Sequence, residues 1–394
     1  MTSVATPFPR LHAVTRSFDP PADLLEARAS DGFAWLHDDA GFVTSGVAAR
    51  VDVEDVEAAL AGVDVDDPLA WPGTGPLAVG ALAFDARRAS SLVIPRVVVG
   101  RDAAGRGWVT EIGDEPARLR VSVAAEEPTR WQIGSRTDRR RWQAMVAAAL
   151  RSIERGELDK VVLARAVHVE ADADFAVSEV LARLRVRQPG CFVHCVDGLV
   201  GASPELLVRR VGTDVESRPL AGTARAGDGA GAALRASVKD THEHRLVVDG
   251  VVDALAPVCV DLVVPAEPSA VEFSSVVHLA TLVRGSLREP AWSVLALARR
   301  LHPTAAVAGS PRAAALGVIA DLELEDRGRY AAPVGWVDGR GDGEWAVALR
   351  GAELDGRHAV LWAGAGIVAG SEPDAEWAET QAKLEPMLHT LLSP

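Results

Sequence analysis

Three lysines stand in a chain that otherwise uses arginine: Lys160, Lys239 and Lys383, so that 41 − 3 = 38 of its 41 basic residues are Arg. Lys160 opens the apolar, β-branched part of "ELDKVVLARAVHV". A guanidinium stays protonated at any useful pH, so of the two cations only an amine can act as a proton acceptor. A carboxyl that partial burial would make a proton donor, and that otherwise has a surface or capping role, stands in "GASPELLVRR", where Glu205 follows a Ser-Pro turn between apolar neighbours. Burial disfavours the charged form, and raising a carboxyl from about 4.3 to about 7 takes roughly 4 kcal/mol. Two acidic helices follow. In "KDTHEHR", Asp240 and Glu243 are three apart on one face; in "SEPDAEWAETQAK", Glu376, Glu379 and Lys383 fall at i, i+3 and i+7. Carboxylates converging from two helices suit Mg²⁺, which takes oxygen ligands and keeps water positions open. Taken singly, each helix reads rather as a solvated acidic face.

Other residues have chemistry of a weaker kind. "SRPLAGTARAG" and "WAGAGIVAG" read as small-residue turns after strands, whose backbone N–H groups can hold a carboxylate. Neither matches a dinucleotide fingerprint or a Walker loop. His302 ends a helix in "RRLHPTAAVAGSP" and can cap it or donate to a ligand hydroxyl. The single tyrosine, Tyr330, and Arg350, which ends the strand run "EWAVALR", can together grip a carboxylate. Cys191, His194 and Cys195 in "GCFVHCVDG" have no second ligand pair, and in a strand the His points away from both Cys, so a buried strand is read there rather than zinc.

The elements that must position these residues belong to a 394-residue chain, 48% hydrophobic and 24% charged, which is the composition of a folded globular protein. The net charge of −14 argues against a nucleic-acid surface, and an anionic substrate would need local positive charge. No long apolar run or secretory signal is read, so no membrane contact and a cytoplasmic location are expected. Residues 1–125 carry short β-like runs with turns, such as "GFAWLHDDAGFVTSG" and "SSLVIPRVVVGRDAAGRGWVTEIG". The polar "AEEPTRWQIGSRTDRRR" separates them from the rest. Helices are predicted in "DRRRWQAMVAAALRSIERGEL", near 177–187, in "THEHRLVVDGVVDALAPV", "AWSVLALARRLHPTAAV", "SPRAAALGVIADL" and "DAEWAETQAKLEPMLHTLL". Strands are predicted after Lys160, in "CFVHCVDGLVGASPELLVRRVG", "AVEFSSVVHLATLVRGSL" and "HAVLWAGAGIVAG", with a hairpin in "PVGWVDGRGDGEWAVALRGAEL". "AGDGAGAALRAS" reads as a mobile loop, and Ser371 with Pro373 and Asp374 as a helix start. The mixture lacks a βαβ rhythm, so the fold class is α+β rather than a doubly wound sheet.

In this order, "DKVVLAR", "GASPELLVR", "RPLAGTAR", "KDTHEHRLVVD", "LHPTAAVAGSP", "DRGRYAAPVGWVD", "GEWAVALRGAEL" and "AGAGIVAGSEPDAEWAETQAKL" resemble the chorismate-utilising enzymes, from about residue 138 to 390. That family includes isochorismate, salicylate, anthranilate and aminodeoxychorismate synthases. The resemblance implies a single α/β sandwich of large antiparallel sheets flanked by helices, with residues 1–125 as its variable sheet-forming half. It implies a Mg²⁺ site with Glu243 and Glu379 as ligands and Asp240 and Glu376 in a water-bridged supporting shell. Substrate contacts are implied for Ala221, Gly222, Thr223, Ala306, Tyr330, Arg350, Gly364, Gly366 and Lys383, with His302 near the ring hydroxyl chemistry. Branches that use ammonia lack a lysine where Lys160 stands, and the aminodeoxychorismate branch carries one where this chain has Ala221. Water addition is left, with Lys160 as general base and Glu205 as general acid, and no amidotransferase subunit is expected. Salicylate synthases tend to carry Thr at the position of Ala306, which favours isochorismate as product, with salicylate the alternative. Ala305 and Ala332 depart from the family's usual Pro and Gly. A monomer is expected, with the product feeding siderophore or menaquinone synthesis.

Overall fold

A computed structural model describes residues 11–113 and 127–393. Residues 1–10 of the amino-terminal stretch, and 114–126 between the two halves, lie outside the described residues. The chain builds a large, mainly antiparallel sheet of 20 described strands, a separate three-stranded sheet, and helices against them. One described pairing is parallel, His12–Ser17 with Asp64–Asp66. Pairing crosses between the halves: Ala34–His37 lies against Phe192–Val196, and Leu77–Ala81 against Pro333–Asp338.

The site-bearing frame is built from four helices and from strands of both sheets. Helix α1 (Arg139–Glu154) starts at Asp138, whose side chain accepts the Arg141 N–H at 2.7 Å, and buries Trp142, Met145, Val146 and Ala149. After a turn the chain enters β1 (Lys160–Ala171), buried on both faces along most of its length. Strand β2 (Leu220–Arg225) belongs to the small sheet, followed by α2 (Val238–Leu255). The small sheet is completed by β3 (Val276–Ala280) and Ser269–Glu272. Helix α3 spans Val294–Leu301. Strand β4 (His358–Val368) then pairs with β1 in an unbroken antiparallel register, from His358 opposite Glu170 to Val368 opposite Lys160. It hands the chain to α4 (Pro373–Leu392).

Helix α4 is held at a fixed height against β1. Buried Arg165 on β1 donates to Thr380 Oγ1 at 2.9 Å and Gln381 Oε1 at 2.7 Å, and its guanidinium lies 3.9 Å from the Trp377 ring centre. Trp142 of α1 donates to the Pro373 carbonyl at 3.2 Å. The acidic residues of α4 therefore cannot slide past the strand that carries Lys160.

Several expectations are corrected. "AGDGAGAALRAS" is not a loop: Ala230–Ala236 is helical, begun by Gly229 at φ +77° and anchored by Leu234 against Val277 and Leu279. Alanine's helix propensity, with one buried leucine, outweighed the glycines. "WAGAGIVAG" is not a turn after a strand, since Gly364 and Gly366 sit within β4. The stretch read as a single strand after Pro268 is three, broken where the Phe273 N–H folds back to the Val276 carbonyl and again after Ala280. Ser371 does not cap α4: the N-cap is Glu372, and the Ser371 hydroxyl accepts the Val368 N–H instead. The strand before Arg350 ends at Val347, and Arg350 stands beyond it in a left-handed conformation, φ +51°.

Candidate active site

Eleven of the residues singled out above line one cavity: Glu205, Ala221, Gly222, Thr223, Glu243, Ala306, Tyr330, Arg350, Gly364, Gly366 and Lys383. Lys160 is behind the lining and fully buried. Its Nζ lies 2.9 Å from Glu243 Oε1 as an ion pair and has no hydrogen-bond partner among the described residues. Gly366 explains how this pair meets the cavity. A Cβ there would stand 2.1 Å from Glu243 Oε1 and 3.0 Å from Lys160 Cε, so any side chain would seal or displace them. Gly222 has a similar role: a bulge at φ +73° brings β2 against Asp240, whose Cβ would be 3.2 Å from an added methyl.

Glu205 follows the strand Leu199–Ser203 and is buried. Burial pushes its carboxyl up to about 7, against the pull of a Leu220 backbone hydrogen bond and the charges of Lys160 and Lys383. It is thus a carboxyl able to hold or release a proton near neutrality.

The opposite chemistry gathers where α2 and α4 converge. Glu376 is paired with Lys239 at 2.7 Å, and Glu379 with Lys383 at 2.6 Å. Lys383 also donates to the Gly364 carbonyl at 3.0 Å. Burial raises the Glu379 carboxyl above its ordinary range, opposed by Lys383 and reinforced by the like charges of Glu376 and Glu243. Three carboxylates, each beside one lysine, come close enough here for Glu376 and Glu243 to act on Glu379. They offer hard oxygen only, which fits Mg²⁺. Mg²⁺ is commonly held by one or two carboxylates, its other positions taken by water or substrate.

Arg350 is the anion-seeking group. It is buried, its NH2 donates to His278 Nε2 at 2.8 Å, and no acidic side chain pairs with it among the described residues. Burial lowers its guanidinium from the usual value. Both Arg350 and Ala331, at φ +63°, line the cavity in the left-handed region, a strain of about 1–3 kcal/mol each that the surrounding fold must hold. Tyr330 stacks on Trp362 with ring centres 5.6 Å apart, and burial pushes its phenol up to about 12, so it stays a hydroxyl donor.

His302 is not part of this lining. Its Nε2 lies 3.0 Å from the Phe84 carbonyl, to which it can donate, and burial lowers it to about 4. Asp240, Glu376 and Glu379 stand behind the wall. Sequence reading missed His278, which lines the cavity, takes Arg350 on Nε2 and faces Thr223 Oγ1 at 3.0 Å with Nδ1. Burial, then the charge of Arg350, holds it far below the usual imidazole value, so it is neutral. Its signal was one polar residue in the apolar alternation "VVHLA". Cys191 and Cys195 lie in an apolar cluster, with His194 on the opposite face beside Trp35.

A family model described as "Chorismate binding enzyme" matches residues 86–392. A Mycobacterium tuberculosis chain is 41% identical over 379 residues, covering 91% of this chain and 98% of its own length. Isochorismate synthase EntC of Escherichia coli is 36% identical over 390 residues, covering 92% and 95%. The solved menaquinone-specific isochorismate synthase MenF of E. coli superposes with a TM-score of 0.82 at 27% identity, covering 98% and 95%.

Proposed function

The chain belongs to the chorismate-binding enzyme family, and from that premise we propose that it is an isochorismate synthase, converting chorismate to isochorismate by adding water at C2 with loss of the C4 hydroxyl. The observation that carries this reading is the opposed pair at one cavity: a dry carboxyl poised at about 7 and a fully buried lysine side chain behind Gly366. Lys160, as the free amine, takes a proton from the water that attacks C2. Glu205 gives a proton to the departing C4 hydroxyl, and the ring double bonds shift between them. Arg350, held by His278, receives a substrate carboxylate, with the Tyr330 hydroxyl and the bulged β2 backbone at Gly222 and Thr223 beside it. His302 caps the end of α3, four residues before Ala306, which lines the cavity. Glu243 and Glu379 would hold Mg²⁺, with Glu376 and Asp240 behind them. When bound, it supplies positive charge to the ring carboxylate.

Ala306 leaves room where salicylate synthases tend to carry Thr, which supports isochorismate over salicylate as the end product. The product would serve siderophore or menaquinone synthesis, and the chain would act without an amidotransferase subunit. Incubation with chorismate and MgCl₂, followed by chromatography, should yield isochorismate. Fluorescent salicylate and pyruvate forming with no added lyase would overturn that product. Tight chorismate binding with no turnover would replace the enzyme by a binding protein.

A further inference from the structure

All three lysines of the chain pair with carboxylates of the proposed metal site: Lys160 with Glu243, Lys383 with Glu379, and Lys239 with Glu376. Lys383 lines the cavity, and Lys160 is sealed directly behind Gly366. Lys239 is different. It does not line the cavity, its side chain is 35% exposed, and its partner Glu376 is 2% exposed. No other charged group contacts Glu376 among the described residues.

The contact is a single one, Nζ to Oε1 at 2.7 Å. An ammonium is a point charge and takes one oxygen; a guanidinium fork would cover both. Lys239 therefore pins Glu376 through one oxygen while offsetting its charge. Hard cations differ in how many carboxylates they want: Mg²⁺ is held by one or two and keeps several waters, whereas Ca²⁺ collects six to eight oxygens in looser geometry. Glu376 lies within electrostatic reach of Glu379 and is one turn before it on α4. An unrestrained Glu376 would be the third carboxylate that favours the larger ion.

We propose that Lys239 is a positioning residue for metal preference: its ammonium holds Glu376 out of the ligand shell and leaves the two-carboxylate site that Mg²⁺ fits. The proposal rests on the metal role of Glu243 and Glu379 read above. Isothermal titration of the whole protein with MgCl₂ and with CaCl₂, without chorismate, gives the ratio of the two affinities. In Lys239→Gln the ratio should move at least tenfold toward Ca²⁺. Arg245→Gln, which removes an exposed charge from the same helix, should leave it within twofold. The double variant Lys239→Gln/Glu376→Gln should return to the parent ratio. Equal strengthening of both ions in Lys239→Gln would reduce the effect to net charge and overturn the proposal. Should Lys239→Gln fail to fold, Glu376→Gln alone decides: a Mg²⁺ loss below threefold supports the proposal, and one above thirtyfold makes Glu376 a direct ligand and overturns it. Binding of neither ion to the parent protein, with or without chorismate, would remove the metal site itself, an outcome distinct from an unchanged ratio.

Discussion

Glu205 and Glu243 are the same residue type on the same cavity, yet their surroundings are opposite. Glu243 has an ammonium 2.9 Å away. Glu205 has no ion pair among the described residues, and desolvation is the largest influence on it. The difference comes from the elements. Glu205 hangs from a turn between sheet strands, where the neighbours are apolar. Glu243 sits on a helix whose face meets a strand that begins with lysine. A carboxyl's surroundings here are a property of the element it is mounted on, and the contrast yields a graded set of ways to break it.

The largest effect is expected for Lys160→Ala. It leaves Glu243 buried without its cation, at a cost of about 3–5 kcal/mol in urea unfolding, and turnover should fall to background. Lys160→Arg keeps the charge and should be as inactive; an active Lys160→Arg would contradict the base role. Next comes Glu205→Gln, where loss of a general acid should lower kcat by about 10²- to 10⁴-fold. Its stability effect has the opposite sign. The folded carboxyl titrates at about 7 rather than 4.5, so the stability it contributes is present at acid pH and lost as pH rises through about 7. At pH 8 the Gln variant should therefore be more stable, by up to about 3 kcal/mol. In the parent, kcat/KM should fall tenfold per pH unit above about 7, and a profile flat to pH 9 would exclude Glu205 as the acid. A smaller effect is expected for His278→Phe, which frees Arg350: KM for chorismate should rise about tenfold with kcat changed less. The smallest is Arg225→Gln, an exposed pair with Glu385, where stability should move by less than about 0.5 kcal/mol.

Lys160 and Glu205 were legible because residue type alone limits what each can do, and the acidic helices because spacing sets a helix face. Short β-like runs with turns made an antiparallel sheet legible in residues 1–125, and the large antiparallel sheets of the whole chain were expected from the family resemblance. What escaped depends on contacts distant in the chain. Nothing local distinguishes Gly366 as a strand residue whose missing Cβ opens the Lys160–Glu243 pair, since that requires the β1–β4 register. His278 looked like one polar residue in a core strand because Arg350 lies 72 positions away. Arg350 was read as a strand end, and its left-handed backbone is held by tertiary packing rather than by propensity. His302 was expected beside the ring hydroxyl, and the carbonyl that takes its Nε2 belongs to Phe84 in the other half of the chain.

The near-absence of lysine has a practical consequence for handling the molecule. Apart from the chain's amino terminus, the amines available to acylating labels or aldehyde cross-linkers are Lys160, Lys239 and Lys383, and Lys160 is sealed in. Lys239, the most exposed of the three, becomes the first target, with Lys383 behind it. Reagents that decorate the outside of most proteins would here report mainly on the amino terminus and on the Lys239–Glu376 pair.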